Sequence, residues 1–202
     1  MIIKICGLMR TQDAKILNTA CPDFAGMILS PGFRRSVSAE TAQAIRSTLR
    51  PEIPAVGVFV NSPYQFIAEF ADTGIIQYIQ LHGSEDAFYL RGLKLSFKLP
   101  VIQAFRIRSA DDLELAAKSE ADMILLDSGA GTGKAFDHSL LGGFPRPYLL
   151  AGGLSPENIR GILAEHRPYG VDVSSGVETD GEKDPDKIRA FVSAVRGANC
   201  EK

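Results

Sequence analysis

The sequence has no tryptophan and only three cysteines, Cys6, Cys21 and Cys200. None of them forms a C-x-x-C pair, and an odd number closes no disulfide framework, so the usage points to a reducing compartment. Its three histidines, His82, His138 and His166, lack the close spacing of metal ligands, and no metal is assigned. Long hydrophobic runs are also missing. The N-terminal MIIKICGLMR is too short for a signal segment, and Lys4 interrupts it. No stretch approaches the roughly 18 consecutive apolar residues of a membrane span. Charge of one sign is scarce too, because 22 Lys and Arg nearly balance 24 Asp and Glu, for a net charge of -2. That balance gives no global attraction to nucleic acid or to an anionic membrane, although a local anion site is compatible with it. A chain with these features is expected to be soluble and cytoplasmic.

What is present is an ordinary globular mixture, 45% hydrophobic and 23% charged over 202 residues. That length supports one sizeable core, so a single domain over residues 1–202 is expected, with two small domains as the alternative. Eight short apolar runs stand out: 2–6, 24–29, 55–60, 78–81, 101–105, 123–126, 148–151 and 171–173. Most are continuously apolar, the pattern of strands covered on both faces. Helical patterns lie between most of them. Ser62-Pro63, Ser155-Pro156 and Asp184-Pro185 each offer an N-cap followed by proline at the first helical position. Ser109 with Asp112 resembles a capping box, and Ser38 and Ser84 are further cap candidates. Ile188, Phe191, Val192 and Val195 form the clearest helical stripe. After the sixth run, residues 139–144 leave room for little more than one turn.

Strand and helix alternate about eight times with short connections, which implies parallel strands joined by crossover helices. Eight such units close into a single compact (β/α)8 barrel, of the TIM-barrel class, with a short or degenerate helix after strand six. At roughly 25 residues per unit the barrel is near the lower size limit. An open doubly wound sheet is the alternative.

In such barrels chemistry sits where strands end. Polar residues and glycines follow nearly every run: Cys6-Gly7, Arg34-Arg35 in the second loop, His82-Gly83, Asp127, Gly152-Gly153 and Ser174-Ser175-Gly176. The last two groups follow runs seven and eight, where barrels hold phosphate on backbone N–H groups and a helix N-terminus. Either pair alone reads equally well as turn residues, whereas both in adjacent loops favour phosphate. Asp127 at the barrel mouth is a candidate acid or base, with burial expected to raise its pKa, or else a cap or ion-pair partner. Cys6 reads as a functional thiolate or as a buried small hydrophobe. The stretch from Gly129 to Lys134 is not a P-loop, because Ser128 and Ala135 stand where glycine and Ser or Thr are needed. It reads as a βα-loop able to close over a substrate.

The motifs KICGL at 4–8, VGVFVN at 56–61, QLHG at 80–83, LLDSGAGTGKAFD at 125–137, LAGGLSPENI at 150–159 and GVDVSSGVE at 170–178 run the length of the chain. Taken in order, they resemble the phosphoribosylanthranilate isomerase family. The resemblance implies an Amadori rearrangement in tryptophan biosynthesis, with a phosphorylated small-molecule substrate and no cofactor. It implies Cys6 as general base and Asp127 as general acid. It places Arg35 on the anthranilate carboxylate, with adjacent Arg34 as the alternative. Gly152, Gly153, Ser174, Ser175 and Gly176 would hold the phosphate, and His82 and Asp172 would lie near the substrate. The second loop, SPGFRRSVS, lacks the family's Lys-Ser before the arginine, and His138 stands where the family often has tryptophan. Related sugar-phosphate isomerase barrels carry a carboxylate at the end of the first strand, so Cys6 argues against them. A non-catalytic phosphate-binding barrel is disfavoured by the pairing of Cys6 with Asp127. Monomer and homodimer both remain open.

Overall fold

Strand and helix alternate around a closed ring. The structure is a computed structural model that describes residues 1–129 and 143–198. Among the described residues eight strands form the ring: β1 (Ile2–Cys6), β2 (Phe24–Ile28), β3 (Ala55–Phe59), β4 (Tyr78–Leu81), β5 (Val101–Arg106), β6 (Met123–Asp127), β7 (Tyr148–Ala151) and β8 (Gly170–Val173). They pair in parallel in sequence order. β8 returns to β1, with Lys4 in register with Asp172, and closes the barrel. The barrel is therefore the architecture, and the open sheet is not. Among the described residues seven helices cover it: α1 (Thr11–Ala20), α2 (Ala39–Thr48), α3 (Tyr64–Ala71), α4 (Ala87–Ser96), α5 (Ala110–Lys118), α6 (Ile159–Glu165) and α7 (Pro185–Gly197). None of them is long and apolar enough to cross a membrane. The expected short helix at residues 139–144 lies outside the described residues, apart from its last two positions.

Strand alternation sorts the core into two compartments. Ile3, Ile5, Ala25 and Met27 face outward and pack under the helices with Leu17, Ile45, Phe191 and Val195. Phe24, Val56, Ile102, Leu125 and Leu149 face inward, with Ile2, Tyr78 and Met123 packed against them. The rings of Phe24 and Tyr78 meet edge-on with centroids 4.8 Å apart. The interior is not wholly apolar, because Lys4, Gln80 and Asp172 are buried in it. Continuous apolar runs do not reveal those three.

Helix starts follow side-chain chemistry, with three corrections. Ser38, the Ser109–Asp112 box and Asp184 cap α2, α5 and α7 as expected. Ser62 does not cap α3. Its hydroxyl is hydrogen-bonded to Ser30 Oγ at 2.8 Å, and Pro63 takes the N-cap position. Ser84 is held by Asn61 Oδ1, and Asp86 caps α4 by accepting from Tyr89 N–H. α6 begins only at Ile159, because the Asn158 side chain ties down Ser155 N–H and Gly153 C=O in the preceding turn. A short hairpin, β9 (Glu178–Thr179) and β10 (Glu182–Lys183), follows a 3-10 turn at Ser175–Val177; the runs gave no sign of it.

Candidate active site

Cys6 ends β1 at the upper rim of the barrel interior. Lys4 lies two residues earlier on the same inward face, fully buried, and its Nζ donates to Asp172 Oδ1 at 2.9 Å. Burial pushes the Cys6 thiol up, and the Asp172 carboxylate adds to that push. The positive charge of Lys4 and, to a lesser degree, Lys183 opposes it without cancelling it. Lys4 itself stays cationic: against desolvation, the attraction of Asp172, joined by Cys6 once that is ionised, raises its pKa. The resting residue is therefore the thiol.

Asp127 ends β6 and faces the same interior. Its Oδ1 accepts the Gly129 N–H at 2.8 Å, and its Oδ2 lies 3.3 Å from His82 Nε2. Burial alone would raise this carboxyl, as expected from its position. The hydrogen bonds from His82 and Gly129, with the positive charge of Arg106, instead hold it below the ordinary carboxylate range. That corrects the expectation. An ionised carboxylate can only accept, so His82 Nε2 carries the hydrogen. Nδ1 of a neutral ring is then an acceptor, which suits the Gln80 amide nitrogen 3.0 Å away. Buried Gln80 thus fixes the His82 ring that faces Asp127.

Arg35 does not present a free fork. Its Nε and Nη2 each donate to Glu178 at 2.7 Å in a bidentate pair. Arg34 Nη2 reaches the same carboxylate at 3.0 Å, and buried Lys183 Nζ reaches it at 2.9 Å. Three cations on one carboxylate leave a surplus of positive charge at this edge, and against the upward push of burial Arg35 and Lys183 hold Glu178 down to about 2. The Arg35 stem crosses Gly7, where a Cβ would stand 2.7 Å from Arg35 Cδ and 2.8 Å from Ser174 Oγ. This places the guanidinium beside Cys6 and the eighth-strand loop.

The loops after β7 and β8 meet. Gly152 and Gly153 adopt φ of 97° and 63°, so the turn role considered for them is real. A Cβ on Gly152 would also lie 2.8 Å from Asp127 Oδ1. The carbonyls of Gly152 and Gly153 accept from Ser128 Oγ and Asn158 Nδ2. A trans peptide points its N–H opposite its C=O, so these bonds also fix the N–H directions of Gly153 and Leu154. Gly176 packs on the Leu154 carbonyl so closely that any Cβ would collide with its oxygen. Gly176→Ala should therefore force the two loops apart. The expected cost is about 1–3 kcal/mol of stability, read by thermal melts. An unchanged Tm would contradict the close packing.

Cys6, His82, Asp127, Gly152, Gly153, Ser174, Ser175 and Gly176 all line one cavity of about 220 Å³, together with Gln80 and Asp172. Arg35 stands at its edge rather than in its lining. Lys4, Gln80, Glu178 and Lys183 were not singled out from the sequence. The signals were a lysine and a glutamine inside otherwise apolar strand runs, and a glutamate within a matched motif. Gly131, Gly133, Lys134, His138 and Cys200 lie outside the described residues. Among the described residues no group of three or more His, Cys, Asp or Glu could hold a metal ion.

A family profile described as N-(5'-phosphoribosyl)anthranilate (PRA) isomerase matches residues 3–194. The N-(5'-phosphoribosyl)anthranilate isomerase of Acetivibrio thermocellus is 39% identical, over 98% of this chain and 96% of its own. A crystal structure of phosphoribosyl anthranilate isomerase from Thermotoga maritima superposes with a TM-score of 0.89 at 36% identity, covering 98% of this chain and all of that one. Another, in complex with reduced 1-(o-carboxyphenylamino)-1-deoxyribulose 5-phosphate, gives 0.87 at 35% identity and covers 98% of this chain and 100% of that one.

Proposed function

The chain belongs to the N-(5'-phosphoribosyl)anthranilate isomerase family, and from that premise we propose how its residues divide the chemistry. The reaction converts N-(5-phosphoribosyl)anthranilate to 1-(2-carboxyphenylamino)-1-deoxyribulose 5-phosphate in tryptophan biosynthesis. It is an internal redox isomerisation, in which C1′ gains the hydrogen that C2′ loses.

In this reading Asp127 protonates the furanose ring oxygen. The C1′–O bond breaks, and the nitrogen lone pair forms an iminium at C1′. The Cys6 thiolate then removes the C2′ proton, and the C–H electron pair becomes the C1′=C2′ bond of an enolamine. Tautomerisation gives the ketone. Gly152, Gly153, Ser174, Ser175 and Gly176 hold the phosphate through backbone N–H groups and hydroxyls. Arg35 takes the anthranilate carboxylate with guanidinium donors not used by Glu178, and the cationic surplus around Glu178 favours an anion there. His82 orients Asp127. The observation that carries this reading is the convergence of Cys6, Asp127 and both glycine–serine loops on one cavity.

The reactive protonation state, with the acid protonated and the thiol ionised, is the reverse of the resting one. Both states carry the same total charge, so they interconvert with no net uptake or release of protons.

The test is turnover. Purified protein should consume N-(5-phosphoribosyl)anthranilate, followed by loss of its fluorescence, and no turnover would reduce the reading to a shared fold. In the same assay Arg35→Ala should raise KM about 10- to 100-fold with a smaller effect on kcat, as expected for a charged hydrogen bond made to both ground and transition states. An unchanged KM would move the carboxylate site to Arg34.

A further inference from the structure

Lys4 has no place in the chemistry above. It is fully buried beneath the cavity floor and cannot touch a substrate. Its Nζ is paired with Asp172 Oδ1, on the strand position in register with it. A buried ion pair is weak evidence of stabilisation, because apolar residues of the same volume serve as well or better. This level of a barrel interior is ordinarily filled by branched apolar side chains.

A second observation concerns Gly26 on β2, next to β1. Glycine weakens a strand interior. Here a Cβ would stand 2.7 Å from Cys6 Sγ and 3.0 Å from Lys4 Nζ. Gly26 therefore vacates one small space into which both the thiol and the ammonium project. Asp172 accepts one ammonium hydrogen, and an ammonium has others to offer.

Resting on the assignment of Cys6 as base, we propose that Lys4 is a positioning residue for the Cys6 thiolate, and that Asp172 holds its ammonium at the distance that sets how strongly it acts. The pair tunes the base rather than stapling the barrel. Asp172 keeps Lys4 cationic and aimed, and it also limits the effect by its own negative charge. When Cys6 gives up its proton, the negative charge forms next to the ammonium in a water-poor interior, where such an interaction is strongest. The other ionisable groups facing this space are Lys183 from β10, His82 after β4, Asp127 on β6 and Arg35 over Gly7. β2 and β3 contribute only Gly26, Ile28 and Val58 there, and β7 only Ala151. Of all these, Lys4 exerts the largest pull toward the thiolate.

The test uses two variants with opposite expected signs. Alkylation of Cys6 by iodoacetamide is followed against pH, by mass spectrometry of the peptide that carries it. Lys4→Met keeps an unbranched chain of similar length and removes the charge. It should move the alkylation midpoint up by about one to two pH units, and lower kcat/KM by about 10- to 100-fold. Asp172→Asn leaves the ammonium with Cys6 as its nearest anionic partner, and should move the midpoint down by about one unit. If Lys4→Met does not fold, the Lys4→Met/Asp172→Asn double variant leaves no unpaired buried charge. Its midpoint should still rise, because the pull of Lys4 exceeds the push of Asp172.

A purely structural pair predicts loosening in both single variants, which exposes the thiol and moves both midpoints down together. That result, or two unchanged midpoints, would overturn the proposal. Opposite shifts with an unchanged kcat/KM would instead show that Cys6 is not the base. The role of Lys4 in turnover would fall with it, although its effect on the thiol would stand.

Discussion

Asp127→Asn should lower kcat by about a thousandfold, within the range that a positioned general acid supplies, and leave Tm nearly unchanged. Asparagine has the same shape: its single amide oxygen keeps the Gly129 N–H, and its NH2 faces His82 Nε2, which accepts it in the other ring tautomer. What it lacks is a proton acidic enough to reach the furanose oxygen as the C1′–O bond breaks. Loss of that step cannot be shared with His82, whose Nε2 is engaged with the side chain at position 127 itself. Steady-state turnover with a thermal melt separates the outcomes, and near-wild-type kcat would remove Asp127 from the acid's role. Folding should respond in the other direction to acid. The native carboxyl is depressed, so its contribution to stability is present above the unfolded pKa and is lost as pH falls through the native one. The asparagine variant should therefore show a smaller loss of stability on acidification than the parent.

Cys6→Ala should be comparably severe, with kcat reduced by about 10²- to 10⁴-fold. The substitution removes one buried sulfur atom and keeps the β-carbon, so the barrel should tolerate it. The pH dependence of the unmodified enzyme carries further information. Because the reactive and resting forms differ only in which group holds the proton, kcat/KM should be flat between the two ionisations. The alkaline limb belongs to Cys6, and it should lie above the ordinary thiol range, because burial raises this group. An alkaline limb below that range, or a Cys6→Ala variant with undiminished kcat, would show that another group takes the C2′ proton.

Much of this site was legible in residue order. Polar and glycine residues just past the apolar runs mark the mouth of the barrel, because the βα-connections of a parallel barrel all open on one end. Cys6, Asp127 and the Gly152-Gly153 and Ser174–Gly176 groups were found in that way. Their electrostatics were not. Asp127 at a buried strand end suggested a raised pKa, and the outcome was the reverse because His82, Gly129 and Arg106 converge on it from other segments. Arg35 was recognisable as a carboxylate partner, but its bidentate hold on Glu178, 143 positions away in the chain, was not. Cap positions failed where a serine had a tertiary partner, as Ser62 has in Ser30.

The sequence by itself determined the eight strand runs of the barrel and the end of it at which the polar and glycine residues gather. These follow from local periodicity and from residue types that fix backbone direction. Only the tertiary structure decided the partners. Closure of β8 onto β1 brings Asp172 to Lys4 across 168 positions, beneath Cys6. The lysine that first appeared as a mere interruption of an apolar run thereby became the charge that pulls hardest on the Cys6 thiol. No local pattern contains that fact, because interaction with a buried charge depends on distance through the fold and on the exclusion of water, and both exist only once the ring is closed.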